Sequence, residues 1–164
     1  MLFRSNLVQT VVDALAASGL PAERLELEIT ESLLLHDDET TLLMLHQLKK
    51  LGVRIAMDDF GTGYSSLNYL RRFPFDKIKI DRSFIKDVAE PDGSLAIVQA
   101  VVSIAQSRNI VTTAEGVETT EQLELLRALG CTEMQGYLFS KPKSAAEIAK
   151  LLAPPREQRA LSVA

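Results

Sequence analysis

The feature that most constrains this chain is an alternation of two patterns. Short apolar runs rich in β-forming residues are separated by longer segments whose apolar residues recur at helical spacing. Strands joined by such segments are joined by crossovers, so the fold class is α/β, with βα units around a parallel sheet. Five runs read as strands: Leu25 to Ile29, Val53 to Met57, Lys77 to Ile80, Ile110 to Ala114, and a weaker one from Met134 to Leu138. An opening helix from Ser5 to Ser18 is closed by Gly19, and Pro21 begins the turn into the first strand. Leu42, Leu45, Leu48 and Leu51 mark a second helix that stops at Gly52. SLAIVQAVVSIAQSRN, TTEQLELLRALG with its stop at Gly130, and SAAEIAKLLA predict three more. The 164 residues suit one domain, 1–152, and the polar PPREQRALSVA after it reads as a tail or linker stub over 153–164.

Composition narrows the chemistry. Hydrophobic residues at 46% and charged residues at 24% are enough for a packed core. No run approaches the roughly 18 apolar residues of a membrane span, and MLFRSNLVQT lacks a signal-peptide core, so a cytoplasmic location is expected. The lone Cys131 excludes an internal disulfide and multi-thiolate metal centres, and His36 and His46 alone make no His-rich site. A formal charge of −4 offers no general attraction to nucleic acid or anionic lipid. The pairs Arg71-Arg72 and Lys141/Lys143 lack interleaved aromatics and read as solvated, so no DNA or RNA duplex is expected as a partner.

What stands out is where carboxylates fall. Glu28 and Glu31 close the first strand, Asp58 and Asp59 the second, Asp81 the third, and Glu115 and Glu118 the fourth. In parallel α/β folds the carboxyl ends of successive strands share one face, which in (β/α) barrels carries the active site. Like charges gathered on one rim repel unless cations sit among them. Oxygen donors without His or Cys select hard ions, hence Mg²⁺ or Mn²⁺, with Ca²⁺ as a further candidate.

Each acid also has a plainer reading. A single Asp or Glu after a strand is commonly a helix N-cap or a solvated loop residue. Glu26, alternating with Leu25 and Leu27, is expected to point away from the rim or into a surface pair. The adjacent Asp58-Asp59 is more specific, because it follows an apolar strand and precedes Phe-Gly-Thr-Gly-Tyr-Ser-Ser, where Gly61 and Gly63 free the loop to approach a ligand. Successive residues there can serve two neighbouring ions. Lys79, two residues before Asp81, is either a structural ion pair or a group that orients a water or neutralises a phosphoryl oxygen.

ELEITES, DDFGTGYSSLNYL, KIDRSFI, AEGVET with the following Gln122, and QGYLFSKP, in this order and spacing, resemble the EAL-domain cyclic di-GMP phosphodiesterases from about Leu2 to Leu152. The resemblance implies a (β/α)8 TIM-like barrel that binds two Mg²⁺ or Mn²⁺ ions and hydrolyses cyclic di-GMP to linear pGpG. By position, Glu28 is similar to a first-metal ligand, Asp58 to the carboxylate bridging both metals, and Asp59 to a second-metal ligand. Glu115 matches the acid at the second metal or its waters, and Lys79 the group that contacts the nucleophilic water or the phosphate. Asp81 matches support for the metal waters at the substrate site, Glu118 and Gln135 match residues lining that site, and Glu31 matches the anchor of the DFGTGYSS loop. That loop in relatives joins the site to a dimer interface. Two metals roughly 3.5–4 Å apart activate a bridging water and stabilise the leaving oxygen, so no Ser-His or Cys-His pair is needed.

The sequence departs from this pattern at its start. No Glu-Ala-Leu occurs, and neither its glutamate nor the asparagine ligand that follows has a counterpart, which leaves the first-metal shell incomplete. A full (β/α)8 barrel takes at least about 200 residues, so an incomplete barrel of about five strands and flanking helices is expected. The chain is then a truncated form, a gene fragment, or a protomer completed by association through its open edge, with an apolar interior layer facing water. Weak or absent turnover follows for the chain alone. Two other classes fit parts of the pattern: a non-catalytic cyclic di-GMP receptor or interaction module, and a metal-dependent enolase-type enzyme, against which the DDFGTGYSS loop argues.

Overall fold

The computed structural model describes residues 6–30, 39–61, 70, 72–91 and 93–152. Five strands form one sheet: β1 (Glu26–Thr30), β2 (Arg54–Phe60), β3 (Lys77–Ile80), β4 (Val111–Glu115) and β5 (Glu133–Gln135). All neighbours are parallel and the order is β1-β2-β3-β4-β5. A doubly wound sheet reverses its strand order at a switch point, whereas this one runs in sequence order throughout, as a barrel wall does. All five expected strands are present; Lys77–Ile80 matches at both ends and the other four differ by one to three residues.

The helices are α1 (Leu7–Ser18), α2 (Glu39–Lys50), α3 (Arg82–Lys86), α4 (Leu95–Ser107), α5 (Thr120–Ala128) and α6 (Ala145–Leu152), with a 3-10 turn over Ala22–Arg24. α1 ends where Gly19 turns left-handed at φ 66° and its N–H bonds the Leu15 carbonyl. α5 begins with a capping box between Thr119 and Gln122. The short α3 was not anticipated; Asp81 caps it by accepting from Ser83 N at 2.9 Å. The expected tail, Glu31, His36, Arg71 and the Gly63-Tyr64-Ser65-Ser66 part of the loop lie outside the described residues.

Strand alternation separates two faces. Ile55, Met57, Ile78, Ile80 and Ala114 meet Leu45 and Leu48 of α2, Val98, Val102 and Ala105 of α4, and Leu126 of α5 in one core where these side chains are at most 1% exposed. Truncating Leu45 or Leu48 to alanine would cost about 2–5 kcal/mol. The other face carries Glu26, Glu28, Arg54, Asp58, Lys77, Lys79, Thr113, Glu115, Glu133 and Gln135, all in phase by register. The expectation of an open apolar interior is therefore corrected for the described strands, because their concave face is charged. A layer of ion pairs tolerates water where an apolar layer would not.

Candidate active site

The concave face is built in two tiers around two lysines of β3. In the upper tier Lys79 Nζ lies 2.8 Å from Glu28 Oε1 on β1, 2.9 Å from Asp58 Oδ1 on β2 and 2.9 Å from Glu115 Oε1 at the end of β4. Three carboxylates from three strands thus share one ammonium whose side chain is 11% exposed. Burial alone would lower the Lys79 pKa, but hydrogen bonding to Glu28, Asp58 and Glu115 outweighs it and holds the ammonium above its ordinary range.

The pairing of β2 with β3 breaks at Asp58 and Asp59. Met57 is opposite Ile78 and Phe60 is opposite Ile80, so two residues, Asp58 and Asp59, occupy the space facing the single Lys79. This is a β-bulge, and Asp59 absorbs the extra residue by turning left-handed at φ 53°. Aspartate tolerates that conformation better than most side chains do.

The remaining expected residues surround this cluster. Asp81 follows β3 directly, but its Oδ1 is engaged by Ser83 N and Ser83 Oγ at the start of α3, and these bonds lower its pKa against the opposing effect of burial. The plainer N-cap reading therefore describes one of its oxygens. Gln135 is in register with Glu115 across the β4–β5 pair. Glu118 is exposed and lines a cleft of about 410 Å³ with Arg82, Ser83, Lys86, Gly116 and Gln122. The structure thus gathers Glu28, Asp58, Lys79 and Glu115, keeps Asp59 and Gln135 at the same strand ends, and sets Asp81 and Glu118 on the adjoining loops.

The lower tier was missed. Lys77 Nζ lies 2.9 Å from Glu26 Oε1 on β1 and 2.9 Å from Glu133 Oε2 on β5, and Thr113 Oγ1 donates to the same Glu133 oxygen at 2.9 Å. The expectation that Glu26 points away from the rim is corrected: it lies on the face shared with Glu28, one pleat below it, in an ion pair reaching across the sheet. Period-two spacing was the available signal: Glu26 is in phase with Glu28, and Lys77 with Lys79.

The oxygen donors of the upper tier suit Mg²⁺ or Mn²⁺. Their charge exceeds the one ammonium among them, and the buried Asp58 Oδ1 is met by the Lys79 ammonium. Among the described residues no three Asp, Glu, His or Cys side chains stand as a formed cation nest; the Lys79 ammonium is at their centre instead.

Comparison with known proteins places the chain in a family and a fold. A family model described as the EAL domain matches residues 1–142. The chain is 47% identical over 151 residues to the cyclic di-GMP phosphodiesterase NbdA of Pseudomonas aeruginosa, covering 92% of this chain and 19% of that protein. The EAL domain of Mycobacterium smegmatis DcpA superposes with a TM-score of 0.86 at 42% identity, over 92% of this chain and 68% of that one. The manganese and cyclic di-GMP complex of Klebsiella pneumoniae BlrP1 superposes with a TM-score of 0.79 at 37% identity, over 84% of this chain and 35% of that one. The chain spans about a fifth of the length of the curated relatives it matches.

Proposed function

The chain belongs to the EAL domain family, and on that premise we propose that it is the metal-binding and substrate-binding part of a phosphodiesterase that hydrolyses cyclic di-GMP to linear pGpG. The observation that carries the reading is the collection of Glu28, Asp58 and Glu115 from three strands onto Lys79. A surplus of carboxylate around one buried lysine is costly unless further cations share it.

Glu28 and Asp58, and beside them Asp59 and Glu115, would hold Mg²⁺ or Mn²⁺, which when bound activates a water and offsets charge on the phosphodiester. Lys79 supplies a fixed positive charge and a hydrogen-bond donor to a phosphoryl oxygen or to the attacking water. Asp81, already oriented by Ser83, keeps one oxygen for an ordered water. Glu118 and Gln135 offer polar edges to the dinucleotide. Glu31 is proposed to anchor the DFGTGYSS loop.

The absence of Glu-Ala-Leu leaves these 164 residues short of two first-metal ligands, so turnover by this chain falls far below that of a form that carries both ligands. Incubation of both forms with cyclic di-GMP and Mn²⁺, followed by chromatography of pGpG, tests this. Equal rates overturn the incomplete-shell account, and no product from either form overturns the hydrolase reading. Dinucleotide binding that survives a chelator, without product, selects the receptor function instead.

Among the described residues no helix is long and apolar enough to cross a membrane. We place the protein in the cytoplasm, where a nucleotide second messenger is available. Among those residues, too, the outer edges of β1 and β5 pair with no further strand, and such edges favour association with a second copy. A single monomeric species at all concentrations in sedimentation would exclude that association.

A further inference from the structure

Gln122 is polar, sits in the first turn of α5, and is only 7% exposed. Both ends of its amide are engaged. Oε1 accepts from Glu118 N at 2.8 Å and Thr119 N at 3.1 Å, while Nε2 donates to Ile85 O at 3.1 Å and Lys86 O at 3.4 Å. The first pair is ordinary helix capping, but the second reaches another element, the last turn of α3. Gly116 adds a second contact between the same two segments, since a Cβ there would stand 2.7 Å from Arg82 Cβ. The β4–α5 turn, which carries Glu118, is therefore seated on α3, which carries Arg82, Ser83 and Lys86. These two segments are the walls of the 410 Å³ cleft.

We infer that Gln122 is a positioning residue for substrate: it clamps the Glu118 turn to the end of α3 and so sets the spacing of the dinucleotide cleft. The inference rests on the phosphodiesterase reading above. A glutamine that only capped α5 would need no donor, since a glutamate's carboxylate also fills the capping-box position. The amide end is required only by the carbonyls of Ile85 and Lys86.

Gln122→Glu separates the two roles. Its carboxylate still accepts from Glu118 N and Thr119 N at a helix N-terminus that favours negative charge, but it faces the two α3 carbonyls with no proton to donate. Thr119→Ala does the reverse, removing the hydroxyl that accepts from Gln122 N at 3.2 Å while leaving the clamp. Affinity for labelled cyclic di-GMP, measured by anisotropy in Ca²⁺ with the full chain, should fall roughly tenfold or more in Q122E, as for other lost supporting contacts. It should stay at the wild-type value in T119A, whose loss appears only in thermal stability. Unchanged affinity in Q122E, or equal losses in the two variants, overturns the clamp. Should Q122E not fold, amide exchange in the wild type decides, because dinucleotide must slow exchange at Glu118 and Thr119, and no slowing refutes the inference. Failure of the wild-type chain to bind the dinucleotide at all is a different result, which removes the phosphodiesterase reading and the clamp together.

Discussion

Lys77 and Lys79 stand one pleat apart on the same face of β3, each ringed by carboxylates, yet their neighbourhoods differ in charge. Lys77 meets Glu26 and Glu133, and Arg54 adds a second positive charge that acts on Glu133, so the lower tier is balanced. Lys79 meets Glu28, Asp58 and Glu115 with no second cation among these contacts. A buried lysine among acids is therefore not a functional signal in itself. The informative quantity is the surplus, because a balanced network is complete while an unbalanced one calls for a metal or a ligand.

The strongest way to break this comparison is to remove each lysine. In a form that carries the two absent ligands, Lys79→Met should reduce pGpG formation by about 10²–10⁴-fold, the range typical of a positioned proton donor or charge. It should also tighten Mn²⁺ binding followed by electron paramagnetic resonance, since the surplus of negative charge grows. Parallel loss of Mn²⁺ affinity and turnover would mean that Lys79 organises the carboxylates rather than acting on substrate. Lys77→Met should do the opposite, leaving Mn²⁺ affinity unchanged and lowering folding stability by about 1–2 kcal/mol, a figure reduced for the half-exposed Glu133. Urea titration of the two variants side by side measures the contrast.

The tiers also separate by pH. Hydrogen bonding from Lys77 holds the Glu133 pKa below its usual value, against burial, which raises it. For Lys77, burial lowers the pKa but its bonds to Glu133 and Glu26 win, and the ammonium is held above its usual value. Glu133 has the depressed folded pKa, so its contribution is complete above the unfolded value near 4.5 and is lost as pH falls through the lower folded value. Lys77 has the raised one, so its contribution is complete below 10.5 and is lost as pH climbs through the folded value. The pair therefore stabilises the fold between those limits. Lys77→Met should flatten this part of the stability profile on both sides, and an unchanged acid limb in urea midpoints from pH 7 to pH 3 would assign that limb to other carboxylates.

How much of this was legible in the sequence follows from which forces are local. The five strands, the parallel order and the rim position of Glu28, Asp58 and Glu115 follow from hydrophobic period and strand-end chemistry, which any short window reveals. The tiers do not, because Glu26 and Glu133 come to Lys77 from strands two places away on either side of β3, and such a meeting is not a property of a window. The bulge at Asp58-Asp59 is intermediate. Alternation alone sends the two acids to opposite faces, and only the register of Met57 and Phe60 against β3 shows the break. Asp81 shows how two readings can coexist, since a strand-end acid expected near the metals also caps α3.

The smallest effect gives the sharpest test of where one tier ends. Thr113 is in register with Lys79 on one side and Glu133 on the other, and its hydroxyl donates to Glu133 Oε2, the oxygen that also meets Lys77. Thr113→Val keeps the shape and removes the donor, so stability should drop by about 0.5–1 kcal/mol, less than for a fully buried bond to a charged acceptor because Glu133 is half exposed. Since Thr113 and Lys77 share one oxygen, the two substitutions should not add: without Lys77 the carboxylate turns to solvent, and the hydroxyl loses most of its worth. A double-mutant cycle in urea reads that coupling directly. Mn²⁺ affinity should not move in Thr113→Val, despite the register with Lys79. If it does, the two tiers are one network, and the charge surplus assigned to the upper tier is shared with the residues beneath it.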